Sequence, residues 1–128
     1  MIEWFEKRDK LSLTITAFLA VTIFYLSTIS FKASSKSGLG IRSIIYHITM
    51  YFIFNLFLTI SLSRGKNRFL ILVSALIAFF YGITDELHQS FVPMRSASVN
   101  DLFLDSLGII YACLVYLISI EKRNKRDS

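Results

Sequence analysis

Four long apolar runs, each bounded by charge, leave this chain few ways to fold: Leu11 to Phe31, Ile44 to Leu62, Phe69 to about Gln89, and about Asp101 to Ile120. Each approaches the ~20 residues that an α-helix needs to cross about 30 Å of hydrocarbon. A chain of 128 residues that is 54% hydrophobic, with mean hydropathy +0.56 and 12 phenylalanines, holds more apolar surface than one small soluble core buries. The expectation is an all-α polytopic membrane protein with a single domain, residues 1–128. Its four transmembrane helices, at about 11–31, 44–62, 69–91 and 100–120, should form an antiparallel bundle.

Lys7, Arg8 and Lys10 precede the first run as they would in a secretory leader. The run is longer than the about 7 to 15 residues of a signal core, and no small-x-small cleavage site precedes the polar loop, so it reads as a retained helix. The single cysteine, Cys113, lies inside the fourth run, which leaves neither a disulfide framework nor a metal-type cysteine pair.

Orientation follows from the lysines and arginines of the short segments. Ten of the 14 fall in the N-terminal lead, the second connection and the C-terminal tail; Lys32, Lys36 and Arg42 of the first connection and Arg95 of the third make up the other four. Both termini are therefore expected in the cytoplasm. Basic flanks facing anionic lipid account for the net charge of +5 without nucleic acid as a partner.

Along the chain, Trp4 and Phe5 suit an interfacial anchor. Ser12, Thr14, Thr16 and Thr22 in the first run can bond back to their own helix carbonyls. The Ser- and Gly-rich first connection, Lys32 to Ser43, reads as a solvated loop, with an anion-binding role as the sharper option. In the second run His47, Tyr51 and Asn55 recur every four residues and share a face that should point at protein rather than lipid. Structural hydrogen bonding and membership of a site fit these residues equally.

The polar chemistry is concentrated between Tyr81 and Asp105. This stretch holds Asp85, Glu86, Asp101 and Asp105, four of nine carboxylates, with His88, Gln89, the only proline and Arg95. Charge-free sequence in the third run covers only Phe69 to Ile83, too short to cross unless the helix continues through Asp85, Glu86, His88 and Gln89. The fourth run likewise draws Asp105, and with it Asp101, toward the outer leaflet. Ionisable groups at such depth cost a few kcal/mol each unless paired or watered. Asp85 with Gln89 and Asp101 with Asp105 form stripes on two helices of a hairpin, and His47 enters from a third. The plainer alternative makes these acids markers of short helix ends. Val92-Pro93 should end the third helix. Ser98 and Asp101 carry the S-x-x-D pattern of a capped start. Arg95 suits pairing with Asp101 or Glu86, or holding a phosphate or carboxylate of a ligand. Gly82 and Gly108 allow close helix approach.

The run Y-G-I-T-D-E-L-H-Q-S-F-V-P-M-R from Tyr81 to Arg95, followed by Asp101-Leu102 and Gly108, with His47 and Tyr51 upstream, resembles the VanZ-like family of teicoplanin-resistance membrane proteins. The resemblance covers most of the chain. Asp105 departs from it, because such proteins more often carry asparagine there. The resemblance implies a four-helix bacterial cell-membrane protein of a family whose best-known member is associated with low-level glycopeptide resistance and which has no settled biochemical activity.

Two classes of function follow. In one, an outward-facing pocket of His47, Tyr51, Asp85, Glu86, His88, Gln89, Arg95, Asp101 and Asp105 recognises a membrane lipid, a lipid-linked cell-wall component or an amphiphilic glycopeptide. In the other, the same carboxylates and histidines supply acid–base groups, or ligands to a divalent ion, for hydrolysis or transfer on a lipid headgroup. There is no His-Glu-x-x-His, serine elbow or Cys-His pair, so the expectation is no resident cofactor and no metal centre, and the sequence sets neither a catalytic assignment nor an oligomeric state.

Overall fold

A computed structural model describes residues 1–29, 40–93, 95 and 97–128. The described chain is all helical: α1 (Ile2–Glu6), α2 (Asp9–Thr28), α3 (Ile41–Ser63), α4 (Phe69–Gln89) and α5 (Val99–Asp127). The last four are long and apolar enough to cross a membrane. Lys32, Lys36 and most of the first connection lie outside the described residues, whereas Arg42 and Ser43 belong to the first turn of α3.

Burial separates a protein-facing stripe from a lipid-facing one on each long helix. Phe18, Val21, Tyr25, Phe69, Leu72, Phe80 and Ile118 are exposed, as side chains should be whose solvent is hydrocarbon. Ile23, Tyr51, Phe54, Leu58, Ala78 and Ile109 pack together inside. Helix α3 is the centre of the bundle and touches α1, α2, α4 and α5. It lies close against α5 at Gly108, where an added Cβ would stand 2.5 Å from the Ile48 carbonyl oxygen. Only glycine permits that contact, since the obstruction is backbone and cannot rotate away. Gly82 plays a different part: a Cβ there would meet only side chains, Leu102, Tyr51 and Asp105, at 3.4 to 3.6 Å.

In α2 Thr14 donates to Lys10 O (2.9 Å), Thr16 to Ser12 O (2.9 Å) and Thr22 to Phe18 O (2.8 Å), whereas Ser12 reaches out of its helix to Phe5 O of α1 (2.9 Å). Further polar ties cross between helices. Asn55 donates to the Ile109 carbonyl at 3.1 Å, and Thr59 Oγ1 lies 2.6 Å from Ser74 Oγ. Such pairs satisfy polar atoms that lipid cannot.

The N-terminal lead is more than an anchor. Trp4 carries the Arg8 guanidinium 4.0 Å above its ring, and Phe5 packs edge-on against Phe57 of α3 at 5.0 Å. Glu6 accepts from Tyr116 Oη (2.7 Å) and from Arg123 Nη1 (2.6 Å), while the same Tyr116 oxygen accepts the Gly65 N–H (2.9 Å). Gly65 has φ +70°, a left-handed conformation that suits the turn after α3. Arg126 donates to Glu3 at 2.9 Å and holds that carboxyl below its usual range. These contacts place both chain ends at one end of the bundle. They also tie down the part of α5 that runs beyond Ile120, whose cations suit a helix C-terminus.

Candidate functional site at the far end of the bundle

The opposite end collects the polar side chains. Helix α3 delivers His47 and Tyr51 from its first turns, α4 delivers Asp85, Glu86 and Gln89 from its last turn, and α5 delivers Asp101 and Asp105 from its start. The local reasons lie in the sequence. Spacings of four residues set each pair on one face. Helix α4 gives way after Gln89 to turns that run into Pro93, closed by Phe91 N–H to His88 O and Val92 N–H to Gln89 O. Ser98 then starts α5, its Oγ accepting from Asp101 N at 3.4 Å.

His47 is 4% exposed and Asp105 1%, and their Nδ1 and Oδ1 lie 2.8 Å apart. The other ring nitrogen, Nε2, is 3.9 Å from Asp101 Oδ2. Asp85 Oδ2 accepts from Gln89 Nε2 at 2.9 Å, and the same nitrogen reaches Glu86 Oε1 at 3.5 Å. Arg95 Nη1 donates to Gln89 Oε1 at 2.8 Å, so the guanidinium is tied to the acids through the amide. Arg95 Nη2 also lies 3.5 Å from the Leu26 carbonyl, which brings the end of α2 to the rim. Glu86 Oε2 accepts the N–H of Ser98 at 2.8 Å. In a reciprocal capping box that N–H would go to the side chain at Asp101; here α4 supplies the acceptor instead and leaves Asp101 turned toward His47.

Several acceptors stay unmatched. Asp85 Oδ1, Asp101 Oδ1, Asp105 Oδ2 and the Tyr51 hydroxyl are buried and have no hydrogen-bond partner among the described residues. His88 stands apart from the rest: its ring stacks on Phe24 of α2, centroids 4.3 Å apart, with Nε2 buried and without a partner among the described residues. Being one residue short of Gln89 and two past Glu86 turns it onto the α2 side of the helix. Asn55, on the stripe of His47 and Tyr51, lies deeper and is engaged with Ile109 and Cys113.

Sequence reasoning did not single out the Ser98 backbone N–H as the partner of Glu86. A main-chain donor leaves no trace in residue type, and only the S-x-x-D start marks where one is exposed. It also assigned no metal centre, whereas His47, Glu86 and Asp105 each offer a ligand atom and the three atoms lie within 4.8 Å of one another.

A family model described as VanZ/LLP1 matches residues 4–120. The chain belongs to the VanZ/LLP1 family. The match reaches all four long helices and takes in every residue of the cluster, and the chain is a multi-pass membrane protein. No curated protein and no solved structure matches the chain.

Proposed function

We propose that this VanZ-family membrane protein meets a lipid-linked cell-envelope molecule, or an amphiphilic glycopeptide, at the polar cluster, and thereby contributes to tolerance of glycopeptides such as teicoplanin. The observation that carries the reading is the convergence of His47, Asp85, Glu86, Gln89, Arg95, Asp101 and Asp105 at the end of the bundle away from the termini. The excess of lysine and arginine at the terminal end supports a cytoplasmic location for both termini and hence an outward-facing cluster in the bacterial cell membrane. Unmatched carboxylate oxygens suit amines and sugar hydroxyls, and Arg95 suits an anionic group. Binding at this cluster needs its rim, at Asp101 and Arg95, to admit the ligand headgroup. The test is the susceptibility of a Gram-positive host to teicoplanin with and without the chain: raised tolerance supports the reading, and unchanged tolerance at good expression contradicts it.

A hydrolase or transferase acting on a lipid headgroup is the second reading. It is favoured by the His47–Asp105 pair at 2.8 Å, an imidazole oriented by a carboxylate as general bases commonly are. Release of a headgroup product from lipid by the purified chain distinguishes it from binding alone.

A further inference from the structure

We infer that His47, Glu86 and Asp105 hold a divalent transition-metal ion of the Zn²⁺ or Mn²⁺ type. This deepens the reading of the cluster as a ligand site and rests on it.

Three donors from three different helices lie within 4.8 Å of one another, all of them buried. Metal–ligand bonds of about 2.0 to 2.6 Å put opposed donors about 4 to 5 Å apart, so one centre serves all three. An imidazole nitrogen with two carboxylates suits a first-row ion better than Ca²⁺ or Mg²⁺, which prefer oxygen alone.

Two observations outside this triad point to a ligand. The first is Tyr51, 1% exposed, whose hydroxyl has no partner among the described residues. Its ring borders the same space over Gly82 as Asp105 Oδ2, because a Cβ on Gly82 would stand 3.4 Å from Tyr51 Cε1 and 3.6 Å from that oxygen. The second is Asp85, 4% exposed, whose Oδ1 is likewise unmatched. Water ligands of an ion would donate to Asp85 Oδ1 and exchange a hydrogen bond with Tyr51. Charge points the same way. Four carboxylates gather here, and Arg95 reaches them through Gln89. Carboxylates at the depth of a membrane helix are costly to keep charged, and a divalent cation among them offsets that cost where a water molecule adds no charge.

Metal-stripped full-length protein in detergent, loaded with Zn²⁺ or Mn²⁺ and passed through gel filtration, should retain one ion per chain. His47→Ala and Glu86→Gln should each weaken binding by calorimetry by more than about tenfold, a loss that outer-shell partners alone cause. Tyr51→Phe should weaken it less, and Glu3→Gln at the other end should leave it unchanged. Glu86→Gln keeps an acceptor for the Ser98 N–H, so its helical signal and thermal unfolding should match the wild type and separate loss of a ligand from loss of fold. Wild-type protein emerging free of metal would overturn the assignment, as would binding that survives both His47→Ala and Glu86→Gln. If metal fails to bind while Glu86→Gln still abolishes teicoplanin tolerance, the metal assignment falls and the proposed function stands.

Discussion

His47 on α3 and Asp105 on α5 meet at 2.8 Å with both side chains almost wholly enclosed, one turn from the point where Gly108 brings the two backbones together. The glycine makes the approach possible, with the α3 backbone at Ile48 and Phe52 lying directly against it. A polar contact in that position ties two helices that hydrocarbon would otherwise leave free to slide.

The pair should behave as a unit. His47→Ala leaves a buried carboxylate without its partner and should cost about 1 to 3 kcal/mol, whereas Asp105→Asn keeps an acceptor for the ring and should cost less. Combined, the two changes should destabilise by less than their sum, because the second replaces by a neutral amide the carboxylate that the first stranded. Denaturant unfolding of the three variants in detergent checks this, and additive effects would show that the residues do not interact.

Gly108→Ala should be far more damaging than Gly82→Ala. Its Cβ would collide with the Ile48 carbonyl at 2.5 Å, and overpacking of this kind costs about 1 to 3 kcal/mol. Gly82→Ala meets only side chains at ordinary contact distance and should unfold close to the wild type. Thermal unfolding of the two variants side by side decides the point.

At the terminal end, Glu6 binds Tyr116 and Arg123 from a position mostly closed to solvent. Glu6→Ala should therefore destabilise by about 1 to 3 kcal/mol, as charge-assisted hydrogen bonds do. It should also free the tail of α5 for proteolysis after Ile120. Equal protease sensitivity of the variant and the wild type would show that the latch does not hold the tail.

Much of this arrangement was legible in the chain. The four apolar runs located the helices, because hydrocarbon thickness sets their length, and the charge-free stretch ending at Ile83 forced Asp85, Glu86 and Gln89 onto α4. The reach of α5 to Asp127 was not legible, since it depends on Glu3 and Glu6 pairing with Arg126 and Arg123 over more than 100 positions of sequence. The separation of His88 from its neighbours was hidden for a related reason. Its place is set by the angle at which α2 brings Phe24 alongside, and spacing within one helix does not carry that angle. Glu86 met a main-chain N–H rather than a side chain, and side-chain patterns are silent about backbone donors.

Topology is open to direct measurement. A reporter fused after Arg126 should register the cytoplasm, and a tag between α2 and α3 should register the exterior, given the lysine and arginine excess at the terminal end. The reverse labelling would place the cluster on the inner face.

The most direct measurement of whether the cluster is a site or a set of helix-end markers is the teicoplanin tolerance of Gram-positive cells expressing Asp85→Asn, Glu86→Gln or Arg95→Lys at wild-type levels. The first two delete charge while keeping size and most hydrogen bonding; the third keeps charge but loses the planar fork of arginine. The account predicts that all three accumulate in the membrane normally and lose the tolerance that the wild type confers. Wild-type tolerance in all three would contradict it.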